Sequence, residues 1–326
     1  MTSKLDWAQA TAAVDAAQKV LIVTHVGPDG DAIGSLLGLG NALRERGKLV
    51  TCAVDDGVPS FVEFLPGAET VVNELNSGSW DLMISVDSSD EERTGNVGAY
   101  GRAHSTQVIN LDHHATNTFF GDIYLVMPEA VSATEVIYRW LVHMQQPLTL
   151  EIAMPLLTGL VTDTLGFRTS AVTADTLRIA MELMAVGASL PDITARTLDS
   201  KPYRMIELWK HALPSVALHG QVIAATISQD NLRQAGLDDV TDGGLVSFLN
   251  TVNEARVAVV FKELADGRVE ISMRSKPGYD VAQVAFSVGG GGHRQAAGAT
   301  IDGPLEAARQ RILGLLQPVV AAGVVQ

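Results

Sequence analysis

Cysteine is all but absent: Cys52 is the single one in 326 residues, so no internal disulfide can form, and its apolar neighbourhood marks it as a small buried hydrophobe. Positive charge is also scarce. Lys and Arg number 23 against 37 Asp and Glu, a formal net charge of −14. Proteins that grip long nucleic acid draw much of their affinity from a basic face. Long duplexes are therefore excluded as partners, and a polyanionic substrate must be held locally, by a few cations or by metal ions. No run of about 20 apolar residues occurs, so no membrane span is expected. The opening MTSKLDWAQA lacks the charged-then-apolar layout of a secretion signal, and a cytoplasmic protein is expected. Internal repeats and low-complexity segments are missing too.

What is present is apolar sequence in short, ordered blocks. Hydrophobic residues make up 47% of the chain, enough for substantial cores, and the length suits two domains. Periodicity predicts helices over 5–18, 31–47, 132–145, 150–164 and 172–188. Strands are expected over 19–25, 48–56, 80–87 and 106–113. This alternation argues for a doubly wound α/β domain with a mostly parallel sheet, in which ligands sit beyond the carboxyl ends of the strands. The polar stretch 189–213, broken by Pro202, reads as a helical linker. Beyond it, 221–228, 255–263 and 268–275 are strand-like and 241–252 and 279–288 helical, a smaller α/β domain with a largely antiparallel sheet. The expected division is thus 1–188, 189–213 and 214–326. The DEER run at 90–93 and the arginines of 39–47 read as solvated faces.

The first strand runs into VTHVGPDGD, residues 23–31. A turn needs the glycines and proline but not His25, Asp29 and Asp31. Asp29 and Asp31 are spaced by two and share a face in extended backbone. Both precede a helix, so Asp31 can serve as its cap and Asp29-Gly30 as a turn. A phosphate-cradling loop is the other option, but the lysine and Ser/Thr of the P-loop are missing. The ends of the other blocks shift the balance. Asp87 closes one apolar strand, Asp112-His113-His114 closes the next, and Asp163 ends the apolar segment TGLVTD. Four of these aspartates and two of the histidines meeting at one sheet edge would repel and be costly to desolvate unless cations were present. Two divalent ions balance four carboxylates. Imidazole mixed with carboxylate suits Mn2+; Mg2+ prefers all-oxygen shells, and zinc sites more often use cysteine. Two such ions can clamp the attacking and leaving oxygens of a displacement at phosphorus, so phosphoester hydrolysis is the natural reaction.

In this order and spacing, VTHVGPDGDAIGS, ISVDSSD, NLDHHATN and TGLVTDTLGFRTS resemble the four motifs of the DHH phosphoesterase superfamily, and ISMRSKPGYDVAQVA with VGGGGHRQAAGA resembles its DHHA1 substrate-binding domain. The resemblance covers nearly the whole chain and is nearest to bacterial nanoRNase-type oligoribonucleases that are also pAp phosphatases. It implies two Mn2+ per chain, with Mg2+ as the substitute: His25, Asp29 and Asp87 on one ion, Asp31, Asp87, His113 and Asp163 on the other, and a bridging hydroxide as nucleophile. Asp112 either orients His113 or caps the strand end. His114 is expected at the substrate phosphate or leaving group. In the second domain Gly290, Gly291 and Gly292 offer backbone free of Cβ atoms. Arg274 and His293 are assigned to substrate, and Arg294 either joins them or is solvated. The chain departs from the family at Leu165, where a glycine is usual; here the glycine comes one place later, at Gly166.

The activity implied is hydrolysis of short single-stranded RNA to mononucleotides and of small phosphorylated nucleotides such as pAp, by a monomer or a homodimer. The rivals are a cyclic di-AMP or pApA phosphodiesterase, a RecJ-like single-strand exonuclease, and a nucleotide-sensing module without turnover.

Overall fold

Short branched-apolar runs bounded by polar residues make the strands of the first unit. The computed structural model describes residues 3–323, and two compact units meet in the chain between Ser200 and Lys201. The first comprises β1 (Lys4–Leu5), α1 (Trp7–Ala16), β2 (Lys19–Val23), α2 (Gly30–Glu45), β3 (Leu49–Ala53), β4 (Leu82–Val86), α3 (Gly95–Ala103), β5 (Val108–Asp112), β6 (Ile123–Val126), α4 (Ala133–His143), α5 (Leu150–Asp163), α6 (Ala174–Ala185) and α7 (Leu190–Thr197). Its sheet order is β1-β6-β5-β4-β2-β3. Five strands are parallel, and the short β1 lies antiparallel beside β6.

β4 and β5 are buried along their whole length, as parallel strands covered on both faces must be. Ile22, Ile84 and Ile109 pack with Leu36 of α2, Ile137 of α4 and Leu156 of α5 in the larger core. Leu21, Met83 and Val108 face the other way and pack with Val97 of α3. The doubly wound expectation holds. The chain steps from β2 outward to β3 and then back across to β4, so the strand order reverses between β2 and β4, where such sheets bind ligands. His25 and Asp87 follow these two strands.

Small residues let α2 and α5 approach closely. A Cβ added at Gly34 would lie 2.5 Å from the Pro155 carbonyl oxygen, and one at Gly38 would lie 2.6 Å from a Leu156 methyl. Pro155 has no N–H to give the Glu151 carbonyl one turn back. Asn41 of α2 fills that gap, its Nδ2 donating to the Glu151 oxygen at 2.8 Å. The pairing sets the start of α2 against the end of α5, which brings Asp31 and Asp163 into one cluster. Cys52 is buried against this layer, its Sγ 3.6 Å from the Leu36 carbonyl oxygen. Arg44 is not on a solvated face: it reaches from α2 to Asn41 Oδ1 and the Cys52 sulfur because β3 packs beside that turn.

The second unit holds α8 (Tyr203–Ala212), β7 (Ala217–His219), β8 (Val222–Ile227), α9 (Gln229–Gln234), α10 (Leu245–Leu249), β9 (Val257–Glu263), β10 (Val269–Ser275), α11 (Ala282–Ser287), β11 (Gly291–His293), β12 (Ala296–Ile301) and α12 (Leu305–Ala321). Its sheet, β11-β12-β10-β9-β8-β7, is antiparallel except for the β8–β9 pair. The stretch expected as a linker is divided: Ile193 of α7 is buried in the first unit's core, and Leu208 and Ala212 of α8 in the second unit's. Among the described residues no helix is long and apolar enough to cross a membrane.

The α2–α5 contact leaves no room for a branched side chain. We predict that Gly34→Val destabilises the protein by about 3 kcal/mol, the overpacking cost outweighing any gain in helix propensity. Urea denaturation followed by circular dichroism measures it; a change under about 0.5 kcal/mol contradicts the packing account.

Candidate metal centre

The loop after β2 is fixed by backbone and cap together. Gly27 takes a left-handed φ of 64°. Asp29, in extended conformation, caps α2 by accepting from the N–H groups of Asp31 and Ala32, both at 3.0 Å through one oxygen, Oδ1. The cap is therefore Asp29, not Asp31. Asp31, in the first turn of α2, reaches the start of α4: its carboxylate accepts from Ala133 N at 2.6 Å, Thr134 N at 3.1 Å and Thr134 Oγ1 at 2.8 Å. The start of α4, where backbone donors point outward, thus supports a buried anion. Asp87 leaves β4 with φ 55°, a left-handed conformation costly for a non-glycine residue. His113 and His114 follow the end of β5. Asp163 is the last residue of α5, so it comes to the cluster from a helix end and not from the sheet edge.

All six residues expected to bind metal fall in three overlapping groups whose donor atoms lie within 4.8 Å of one another: His25, Asp29 and Asp87; Asp31, His113 and Asp163; and Asp87, His113 and His114. Asp87 belongs to two of them. Its Oδ2 lies 3.6 Å from His25 Nε2, and its Oδ1 lies 3.5 Å from His113 Nε2. His113 Nε2 also lies 3.4 Å from Asp163 Oδ2 and 3.9 Å from Asp31 Oδ2. Such separations are long for hydrogen bonds but short enough for donors that share a cation.

The histidine tautomers follow from their other nitrogens. His25 Nδ1 donates to the Val26 carbonyl at 3.0 Å, and His113 Nδ1 faces the Ala130 carbonyl at 3.4 Å. Both rings therefore turn Nε2 toward the carboxylates, and this is the nitrogen that would give up its proton to ligate a metal. Asp112 does not orient His113. Residues two apart share a side of extended backbone, so its carboxylate meets His114 instead, Oδ1 accepting from Nδ1 at 2.8 Å, while Asn117 Nδ2 donates to its other oxygen at 2.6 Å. Asn117, Thr134 and the Ala130 carbonyl are supporting groups that sequence reasoning missed. Asn117 lies inside the NLDHHATN motif, but Thr134 is brought to Asp31 only by the tertiary fold.

Charge in the cluster is unbalanced without cations. Burial pushes the Asp163 carboxyl up to about 7; His113 opposes the rise, and Asp87 and Asp29 add to it. Burial likewise raises Asp31 well above the carboxylate range, helped by Asp87 and Asp163. Burial would raise Asp87 too, but His113 and His25 overcome it and hold that carboxyl well below its ordinary value. Burial lowers His113, yet Asp87, Asp31 and Asp163 leave it well above the usual imidazole range. Asp87 Oδ1 is buried with no hydrogen-bond donor among the described residues. A buried carboxylate oxygen without a donor, ringed by carboxylates and imidazole nitrogens, fits a divalent cation.

The remaining candidates lie in the second unit. Arg274 ends β10, half-buried, its Nη1 donating to the Met273 carbonyl at 3.0 Å. With Ser272, Gly291 and Gly292 it lines a cavity of about 510 Å3. The glycines are needed first for packing: a Cβ at Gly290 would sit 2.2 Å from the Gly298 carbonyl oxygen, and one at Gly292 2.5 Å from that of Ala296. Arg294 is exposed, with Nε 3.5 Å from Asp280 Oδ2. His293 pairs through its backbone with Ala296; its side chain lies outside the described residues.

The raised Asp163 carboxyl costs the metal-free fold stability as pH rises from its unfolded value of 3.8 toward about 7. A raised histidine contributes below its unfolded pKa and loses that contribution as pH rises through the folded one, so His113 acts in the same direction. Protons and cations thus compete for these groups. We predict that metal-stripped protein binds Mn2+ about tenfold or more tightly at pH 8 than at pH 6, with proton release, as read by calorimetry in two buffers. Affinity that is flat across this range contradicts the cluster's electrostatics.

Family models place this architecture. The DHH family N-terminal domain matches residues 19–160 and the DHHA1 domain residues 219–321. The bifunctional oligoribonuclease and PAP phosphatase NrnA of Thermus thermophilus is 36% identical over 300 residues, 90% of this chain and 88% of that protein. An exopolyphosphatase-related protein from Bacteroides fragilis superposes with a TM-score of 0.89 at 24% identity, covering 97% of both chains. RecJ of Thermus thermophilus, solved with Mn2+, has a TM-score of 0.55 at 14% identity, and the match spans 96% of this chain but 55% of RecJ. With its cluster of imidazole and carboxylate donors at the switch point of a parallel sheet, the chain belongs to the DHH family of metal-dependent phosphoesterases, in the DHH–DHHA1 branch that includes the NrnA-type enzymes.

Proposed function

We propose that the protein hydrolyses short single-stranded oligoribonucleotides to mononucleotides and pAp to AMP, using two Mn2+ ions per chain, with Mg2+ as the weaker substitute. The observation that carries the reading is the placement of Asp87. Its two oxygens face different histidines, His25 and His113, and it is common to two donor groups, as a carboxylate shared by two ions would be. His25, Asp29 and Asp87 would hold one ion and Asp31, Asp87, His113 and Asp163 the other. When bound, such a pair supplies positive charge for the phosphoryl oxygens and acidifies water. The 36% identity to a bifunctional oligoribonuclease and PAP phosphatase supports the substrate class.

The chain's own groups account for the rest. Asp112, fixed by Asn117, holds the Nδ1 proton of His114. This leaves His114 Nε2 to bind a substrate phosphate or pass a proton to the leaving oxygen. Arg274, with Gly291 and Gly292, can hold a further phosphate in the second unit's cavity. The net charge of −14 disfavours long polyanions, so substrates of a few nucleotides are expected.

Mn2+-loaded protein should release mononucleotide from RNAs of about two to five residues and convert pAp to AMP. If RNA, pAp and cyclic di-AMP all stay intact, the proposal is wrong; turnover of cyclic di-AMP alone favours the cyclic-dinucleotide rival. Asp87→Asn should lower kcat by about 10^3 or more, a loss of several kcal/mol of transition-state stabilisation. For His114→Ala the expected drop is about 10^2- to 10^4-fold with Mn2+ binding retained. Mn2+ affinity lost in parallel with kcat would make His114 a ligand instead.

A further inference from the structure

Beginning two residues after Asp163, the chain takes three consecutive left-handed residues: Leu165 at φ 52°, Gly166 at 73° and Phe167 at 63°. Glycine adopts this conformation freely, but leucine pays steric strain between Cβ and the backbone. The strain is held by an over-determined turn. Gly166 N donates to the Val161 carbonyl at 2.7 Å and Arg168 N to the Thr164 carbonyl at 2.8 Å. Phe167 N donates to the buried Thr164 hydroxyl at 2.9 Å, and Phe167 packs against the main core.

The turn leaves Leu165 outside that core: the residue is 53% exposed. An exposed leucine in a strained backbone gains the fold nothing, since glycine would fit better. Strain kept in place by its surroundings points to a use. Two residues along a chain place the Cα atoms at most about 7 Å apart, so the Leu165 backbone lies near Asp163 at the edge of the carboxylate cluster.

We propose that Leu165 is a specificity residue whose side chain packs against the nucleobase of the nucleotide bound at the cluster. The inference rests on the phosphoesterase reading above and adds to it a contact that discriminates a nucleotide from a sugar phosphate. An aliphatic side chain covering one face of a base is non-directional, so it tolerates all four bases, which suits a substrate of mixed sequence.

AMP and ribose 5-phosphate share the phosphate and sugar and differ by the base. Calorimetry on the Mn2+-loaded protein should show Leu165→Ala and Leu165→Gly each weakening AMP binding about five- to tenfold, with ribose 5-phosphate unchanged within about twofold. Leu165→Gly should also raise Tm by about 2–4 °C, because it relieves the left-handed strain, whereas Leu165→Ala should not. AMP binding unchanged in both variants, equal weakening of the two ligands, or loss in Leu165→Gly alone would each overturn the proposal, as would a parent protein that binds no AMP. A parent that cuts no RNA yet binds AMP in a Leu165-dependent way keeps this inference and sinks the substrate reading instead.

Discussion

Negative charge buried at the carboxyl end of a parallel sheet is the constraint around which the first unit is arranged. Asp31 and Asp87 have almost no access to solvent, and Asp112 has none. An isolated carboxylate in such a place would take up a proton or unfold its surroundings. Each therefore has its own compensation. Asp31 has the start of α4 and the Thr134 hydroxyl, Asp112 has Asn117 and His114, and Asp87 has two imidazoles but one oxygen left without a donor. The incomplete compensation at Asp87, between the two strands where the sheet order reverses, leaves a buried carboxylate oxygen that a cation would satisfy.

Bringing these groups together depends on apolar packing some distance away. Gly34 and Gly38 let α2 come close to α5, and the Asn41 amide takes up the Glu151 carbonyl that Pro155 leaves without a donor. The chemistry at one end of the helix pair thus rests on glycines with no chemical role of their own. Backbone strain at Asp87 and Leu165 is tolerated on top of this rigid layer, consistent with strain collecting where a protein does its work.

The parallel sheet and most of the donor set were legible in the sequence, because apolar runs ending in His25, Asp87 and Asp112 carry both the strand signal and the ligand signal. One reading failed for a simple reason: alternation along extended backbone decides which carboxylate meets which ring, and Asp112 lies two residues from His114 but one from His113. Asp163 was legible as the end of the helix expected over 150–164, and what the sequence did not show is that this helix end comes up beside the strand ends. β6 is made of strand-forming residues but is only four long, and the small-residue strand β12 carries a weak strand signal. α12 was within reach, since Ala308, Ile312, Leu316 and Val320 recur every four residues. The contact from Thr134 to Asp31 spans more than a hundred residues and has no local signature.

Asp29 and Asp31 are each tied down by backbone N–H groups, Asp29 through its own helix and Asp31 through α4. The proposed ligands are thus positioned by hydrogen bonds that do not involve a cation, and the cradle is shaped before any ion enters. A preformed cradle of nitrogen and oxygen donors discriminates poorly among first-row divalent ions, whose affinities follow the Irving–Williams order and place zinc above manganese. Which ion the protein carries in a cell then becomes a matter of supply. Under the proposed function, its turnover would then follow the balance of manganese to zinc around it without any dedicated sensor.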